Sequence, residues 1–343
     1  MHATAPGKLI VTGEYAVLDG APALVVAVNR RVVAKRRSGP RGSSEFLLAL
    51  GAELARRYGA DHPAVKCVDE IVVDSSAFYD GTTKLGLGSS AAVTVAATAL
   101  ALGASHERVP VIDKAKVLEI ASAAHAAAQG PRGSRGSGAD IAAAVHGGVI
   151  AFQRATPDRI AWPSDAAQQG KTIECASGTA ERLAWPSGVT WIPFFTGKSA
   201  DTGSLVAAVQ AARTANRAAV EAALAAIDKA SRAACQACAM RAPEIASSAL
   251  LAALALAGRA TDALAKATGV PLVPSCVTAA RSVLAPLGGT AKTTGAGGGD
   301  IGIAVIPGTE HVTEARRLLI EAGCQPLAIG VDQTGVDLQP DAQ

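Results

Sequence analysis

Three stretches of the chain set glycine beside hydroxyl or charged side chains: KLGLGSSAA at 84–92, GPRGSRGSGAD at 130–140 and KTTGAGGGD at 292–300. Glycine lets the backbone approach an anion closely, and the free N–H groups and positive dipole end of a helix stabilise that anion. Gly86, Leu87 and Gly88 run into an Ala/Val-rich segment opened by Ser89, Ser90, Ala91 and Ala92, the order a phosphate-binding turn requires. A tight turn capped by serine accounts for the same residues equally well. Asp140 alone reads as a helix N-cap. Lys8 and Lys198 are cations that could neutralise a phosphoryl group, whereas Lys84 and Lys292 read equally well as solvated surface charges.

Two other phosphate motifs fail on their context. Gly86-x-Gly88-x-x-Ala91 fits the dinucleotide fingerprint formally, but a polar loop precedes it where a buried strand is required, and Glu107 falls between helices. Gly197-Lys198-Ser199 could end a P-loop, but Ile192 occupies the place of its first glycine.

Composition narrows the classes further. The chain has 343 residues, enough for two domains, with a net charge of +3 that argues against a nucleic-acid or anionic-membrane partner. Apolar residues make up 49% and charged residues 18%, so the chain folds, and 11 aromatics leave little for stacking bases. The N-terminus lacks a basic region followed by an apolar run, which points to the cytoplasm. Apolar stretches at 91–104 and 248–258 are shorter than the ~18–20 residues that span a bilayer, and read as buried helices. Cys235-x-x-Cys238 has no second pair, so the six cysteines read as free thiols.

Hydrophobic periodicity supplies the elements that would position these residues. Strands are predicted at 8–12 and 23–36, a helix at 45–58, a strand-like return at 65–73, and helices at 89–102 and 111–129. A short helix from Ala139 and a strand over 147–154 follow, then a connector at 154–188 and a strand at 189–195. Ala-rich helices occupy 201–268, with a helix near 274–286, two strands around the last glycine loop and a helix at 310–322.

APGKLIVTGEYAVLDG (5–20), GLGSSAA (86–92) and KTTGAGGGD (292–300), in that order and at those spacings, resemble the three signature motifs of the GHMP kinases, which phosphorylate small metabolites with ATP. The resemblance implies an α+β fold of two domains: an N-terminal α/β domain over 1–180 and a ferredoxin-like C-terminal domain over 181–343, with the nucleotide between them. Within the family, GSGAD ending at Asp140, FFTGKSADTG (194–203) and Glu14-Tyr15 resemble the phosphomevalonate kinase branch. Phe195, Asp201 and Gly203 depart from that branch, and the loop 130–138 is longer, with Arg132 and Arg135 inside it.

By resemblance, Lys8 and Asp140 are catalytic, and Gly86 to Ala92 bind the ATP phosphates. Ser90 contributes an oxygen to Mg²⁺, and Tyr15, Ser137, Lys198, Thr294, Gly295 and Ala296 bind phosphomevalonate. Related mevalonate kinases bring a glutamate to the metal eleven residues before the catalytic aspartate, where this chain has Gln129. The implied partners are the small-molecule substrate and ATP, with no nucleic acid or membrane, in a monomer or homodimer. Alternatives are transfer to mevalonate or another metabolite, and a catalytically inactive sensor of the same fold.

Overall fold

The computed structural model describes residues 1–37, 44–104, 111–130, 136–156, 173–175 and 178–340. The chain opens with β1 (His2–Thr12) and β2 (Pro22–Arg36), antiparallel neighbours joined through a 3-10 turn at Ala16–Asp19 that Gly20 ends. Pro22 to Val28 are all buried, because α-helices described below cover both faces of this strand. Ser44 caps α1 (Glu45–Tyr58), which buries Leu47, Leu50 and Leu54 at helical spacing.

The strand expected over 65–73 is a helix for half its length. His62 caps α2 (Pro63–Val68) and Pro63 occupies its first turn, so the strand β3 covers only Ile71–Asp74. The following polar loop folds as a small hairpin of β4 (Tyr79–Asp80) and β5 (Thr83–Lys84). Then come α3 (Ser89–Gly103), α4 (Lys114–Gln129, capped by Asp113) and α5 (Ala139–His146). Helix α3 is apolar nearly all round, so it is a core helix in contact with β1, β2, α4 and α5.

The stretch read as a connector carries two strands of the first sheet, β7 (Ile173–Cys175) and β8 (Gly178–Leu183), after β6 (Val149–Arg154). Next come β9 (Val189–Phe195), α6 (Thr202–Ala215), α7 (Arg217–Ala239), α8 (Pro243–Thr268) and α9 (Ser275–Leu284). The chain closes with β10 (Thr290–Thr293), β11 (Ile301–Pro307), α10 (Val312–Glu321), β12 (Gln325–Pro326) and β13 (Asp337–Gln339).

The first sheet runs β13-β1-β2-β6-β8-β7, with β3 also on β2, and the second runs β10-β11-β9-β12, all antiparallel. The chain therefore leaves the first sheet, builds the second, and returns its last strand to β1. This is the mixed α+β arrangement implied above. Helix α7 binds the two halves together: Ser231 Oγ lies 2.8 Å from Thr12 Oγ1 and donates to Pro22 O at 2.6 Å.

The apolar stretch at 248–258 belongs to a longer element than its own run indicated. The 26-residue α8 is long and apolar enough to cross a membrane, but Leu250, Leu254, Ala257 and Leu264 are buried within the molecule, where α8 packs on α7 and β10. Cys235 and Cys238 are free thiols on the buried face of α7, and burial pushes the Cys238 thiol up to about 12.

Candidate active site

Two cavities meet beside β1. Lys8 is anchored by its own amide, which donates to Leu87 O at 2.9 Å and joins the strand to the glycine turn before α3. Gly88 has φ +75, and a Cβ there would stand 3.0 Å from Lys8 Cε, so the lysine stem lies across the glycine. Gly86 has φ +69, and a Cβ there would come within 2.2 Å of Asp300 Oδ2. Both positions need glycine for backbone conformation, and Gly86 needs it for space as well.

The larger cavity, of ≈ 740 Å³, lies between the turn and first residues of α3 (Gly86, Gly88, Ser89, Ser90) and residues 199–204 at the start of α6, with Gln129 and Asp140 also in its wall. Three helices, α3, α5 and α6, begin at its wall, an arrangement that favours negative charge. Asp201 caps α6, accepting from Gly203 N at 3.0 Å and from Ser204 N at 3.4 Å. The smaller cavity, of ≈ 200 Å³, is lined by Leu9, Ile10, Glu14, Tyr15, Ser137 and Thr294 to Gly297 among others. Lys8, Gly86, Gln129, Asp140 and Asp300 line both.

Behind the smaller cavity lies a buried ion pair. Lys292, 1% exposed, donates to Val11 O at 2.6 Å, to Thr293 O at 2.5 Å and to Glu14 Oε1. Burial pushes the Glu14 carboxyl up, and Lys292 pulls it back only in part. The pair fastens the end of β1 to β10, and the neighbouring residue repeats the tie. Tyr15, at φ +59, donates its hydroxyl to Ala296 O at 2.7 Å, while burial, followed by Glu14, pushes that hydroxyl above its ordinary range. Gly295 N adds a bond to Ile10 O at 3.1 Å.

Asp300, at φ +52, is fixed by its amide on Lys198 O at 2.8 Å and by Ala200 N, which donates to Oδ1 at 3.1 Å. Burial pushes its carboxyl up, against the Ala200 amide, Lys8 and Lys84. On the other wall, Ser90 Oγ lies 3.2 Å from His125 Nε2, which also meets Gln129 Nε2 at 3.3 Å. Ser90, Gln129 and Asp140 thus bring oxygen atoms to the larger cavity. No cluster of three or more His, Cys, Asp or Glu suited to a metal occurs among the described residues. That donor set fits a hard cation arriving with phosphate oxygens and keeping water, not an all-protein cage.

Of the residues singled out in the sequence, Lys8, Tyr15, Gly86, Gly88, Ser89, Ser90, Ser137, Asp140, Thr294, Gly295 and Ala296 converge on these cavities. Leu87, Ala91 and Ala92 turn their side chains into the core, leaving only backbone toward the turn. Lys198 is exposed and lines neither cavity, although Ser199 and Ala200 beside it line the larger one, and its carbonyl accepts from the Asp300 amide. Lys292, which could have been a surface charge, is fully buried. Arg132 and Arg135 lie outside the described residues. Sequence reasoning missed the Glu14–Lys292 pair and His125. The pair joins residues 278 apart and leaves no local signal. His125 stands four residues before Gln129 on one helix face, a spacing that could have drawn notice.

Residues 48–148 match the family model described as the GHMP kinases N terminal domain. A phosphomevalonate kinase of Streptomyces sp. (strain CL190) is 28% identical, over 95% of this chain and 95% of its own length. A mevalonate kinase of Aeropyrum pernix is 29% identical over 45% of this chain and 50% of that protein. The Streptococcus pneumoniae phosphomevalonate kinase, solved in complex with phosphomevalonate and AMPPNP, shares the fold with a TM-score of 0.73 at 18% identity, covering 96% of this chain and 99% of that one. Residues 48–148 thus carry the N-terminal domain of a GHMP kinase, a family of ATP-dependent phosphotransferases, and the whole chain is similar in sequence to a phosphomevalonate kinase and shares the fold of these enzymes.

Proposed function

We propose that the protein transfers the γ-phosphoryl group of ATP to 5-phosphomevalonate, giving 5-diphosphomevalonate. The observation that carries this reading is the meeting of the two cavities at Lys8 and Asp140, with three helix N-termini at the wall of the larger one. The phosphate-acceptor assignment draws support from the Streptomyces relative and from the phosphomevalonate bound by the Streptococcus enzyme.

Phosphoryl transfer through a loose transition state asks for in-line positioning and neutralisation of spread charge. Backbone amides from Gly86 to Ala92 would cradle the nucleotide phosphates, and Lys8, at the junction, would meet the transferred group and the acceptor oxygen. Tyr15, Ser137, Thr294, Gly295 and Ala296 would line the acceptor. Mg²⁺, held by Ser90 and Gln129 together with the phosphates, would neutralise charge on the transferred group. A phosphate monoester has a second pKa near ~6, so its attacking oxygen is mostly ionised at neutral pH without a base. Asp140 then orients Lys8 and the acceptor instead of removing a proton.

A second reading, transfer to mevalonate, is favoured by one feature: Lys8 is the one cation among the described residues lining the smaller cavity. ADP release measured with mevalonate, 5-phosphomevalonate, homoserine and galactose separates the two. The highest kcat/KM is expected with 5-phosphomevalonate, and turnover only with an unphosphorylated alcohol would overturn the assignment.

A further inference from the structure

Helix α5 carries Asp140 in its first turn, and its eight residues are too few to hold a helix by themselves in water. Four of its six buried residues are alanine, which offers a neighbour almost no ridge to engage, so the sides of the helix grip it weakly along its axis. At its start Gly138 brings no capping side chain, and Ser137 Oγ accepts from Ala139 N at 3.3 Å. The firmer hold is at the far end, where the returning C-terminal segment meets the helix.

Backbone lies directly on backbone there. Val336 N donates to Val145 O at 3.2 Å, and Gly148 N donates to Asp332 O at 2.6 Å. A Cβ on Gly147 would collide with Gly335 N, and one on Gly335 would collide with Val145 O. Asp332, 8% exposed, shapes the segment that makes this contact. Its Oδ1 accepts from Thr334 N and from Gly335 N, each at 3.0 Å, which curls residues 332–335 into a turn. Its Oδ2 pairs with Arg31 of β2, whose guanidinium also donates to Gly335 O at 2.7 Å and to Thr4 Oγ1 of β1 at 2.8 Å. From the outside, Lys114 of α4 donates to Thr334 O at 2.7 Å and Arg182 of β8 to Gln333 O at 3.1 Å. The turn is therefore fastened to four elements, and α5 ends against it. Val145 and Asp140 are five residues apart, about 7.5 Å along the helix axis, so a shift at this end moves the carboxylate with it.

We infer that Asp332 is a positioning residue: the turn it folds is the end-stop that sets how far α5, and with it Asp140, reaches toward the junction of the two cavities. This rests on the reading that Asp140 serves phosphoryl transfer. The test is a double-mutant cycle on kcat for ADP release, using the wild type, Asp332→Ala, Asp140→Asn and the two combined, each assayed well below its own Tm, with AMPPNP affinity measured alongside. Since a misplacement of about 1 Å can cost as much as 10²-fold, Asp332→Ala is expected to lower kcat ~10-fold while AMPPNP affinity stays within ~2-fold. On the Asp140→Asn background the same substitution should lower kcat by less than ~2-fold, because the group it positions is already gone. An equal fold-loss on both backgrounds would overturn the positioning role and leave the kinase reading untouched. Asp332→Asn keeps an oxygen for the two amides and should retain most of kcat, and a loss as large as that of alanine would overturn the end-stop. Should Asp332→Ala fail to fold, Lys114→Met loosens the turn from its outer side in the same cycle, with a ~3-fold loss expected that vanishes on the Asp140→Asn background. The same loss on both backgrounds would again overturn the inference. The cycle is run with whichever of 5-phosphomevalonate and mevalonate is turned over, so the acceptor assignment and the positioning role fail separately. A wild type that releases no ADP with either would overturn the kinase reading, and the inference with it.

Discussion

Replacing Lys292 by methionine isolates the tie between the two sheets. The side chain is 1% exposed and its ammonium serves three oxygens, those of Val11, Thr293 and Glu14. Removing one partner of a buried pair costs about 3–5 kcal/mol, because the remaining charge stays in the interior uncompensated. Two backbone carbonyls also lose a donor, at about 1 kcal/mol each. Against a total stability of about 5–15 kcal/mol, that brings the protein close to unfolding. Adding Glu14→Gln removes the stranded charge, so the double variant should regain about 2 kcal/mol, or about 3 °C in Tm at roughly 1.4 °C per kcal/mol for a chain of this length.

The pH dependence has a definite sign. Glu14 already has a raised carboxyl pKa in the folded protein, and losing the lysine raises it further. Stability from such a group is present at low pH and lost as pH rises through the folded value. Lys292→Met should therefore lose less Tm relative to wild type at pH 5 than at pH 8. Thermal scans of the wild type, both single variants and the double variant at the two pH values measure this. A double variant whose loss equals the sum of the two single losses would refute the uncompensated-charge reasoning.

Other consequences concern single groups. Burial, then Lys114 and Arg182, lower the His146 pKa to about 4 from 6.5, and its Nε2 is buried without a partner. Folded-state stability should fall as pH drops from 6.5 to 4, by about 2 kcal/mol after solvent screening, and His146→Gln should flatten that slope in thermal scans. Asp300→Asn should raise Tm at pH 7, since an amide escapes the burial cost that raises the carboxyl and an asparagine tolerates φ +52, while the KM for ATP changes. Asp140→Asn should lower kcat by roughly 10² or more without moving the acidic limb of the pH–rate profile. A shift of that limb would mark Asp140 as a base. Gly86→Ala sets a Cβ 2.2 Å from Asp300 Oδ2 at φ +69, and should cost about 1–2 kcal/mol in chemical denaturation as well as raise the KM for ATP.

The parts legible in the sequence were those whose signal is local. The α1 helix follows from Leu47, Leu50 and Leu54 behind a serine cap, and β9 has the limits its apolar run indicates. The glycine turn before α3 was visible because two glycines and two serines stand together in seven residues. The segment 65–73 misled because apolar Val65, Val68, Ile71 and Val73 suit either period, and the decision rests with Pro63 and His62 ahead of it. Strands β7 and β8 were hidden because pairing, of β8 with β6 and of β7 with β8, is what makes them strands. Lys198 stood in a promising motif, and the bond of its carbonyl to the Asp300 amide is one that no residue type reveals. Lys292 and Glu14 carry no periodic signal, and only the closing of one sheet on the other brings them together.

The most direct measurement is ³¹P NMR of the product formed from ATP, Mg²⁺ and 5-phosphomevalonate. One coupled diphosphate pair should appear for each ADP released, and mevalonate in its place should give little turnover. Efficient conversion of mevalonate to its monophosphate, with 5-phosphomevalonate left unchanged, would contradict the proposed function.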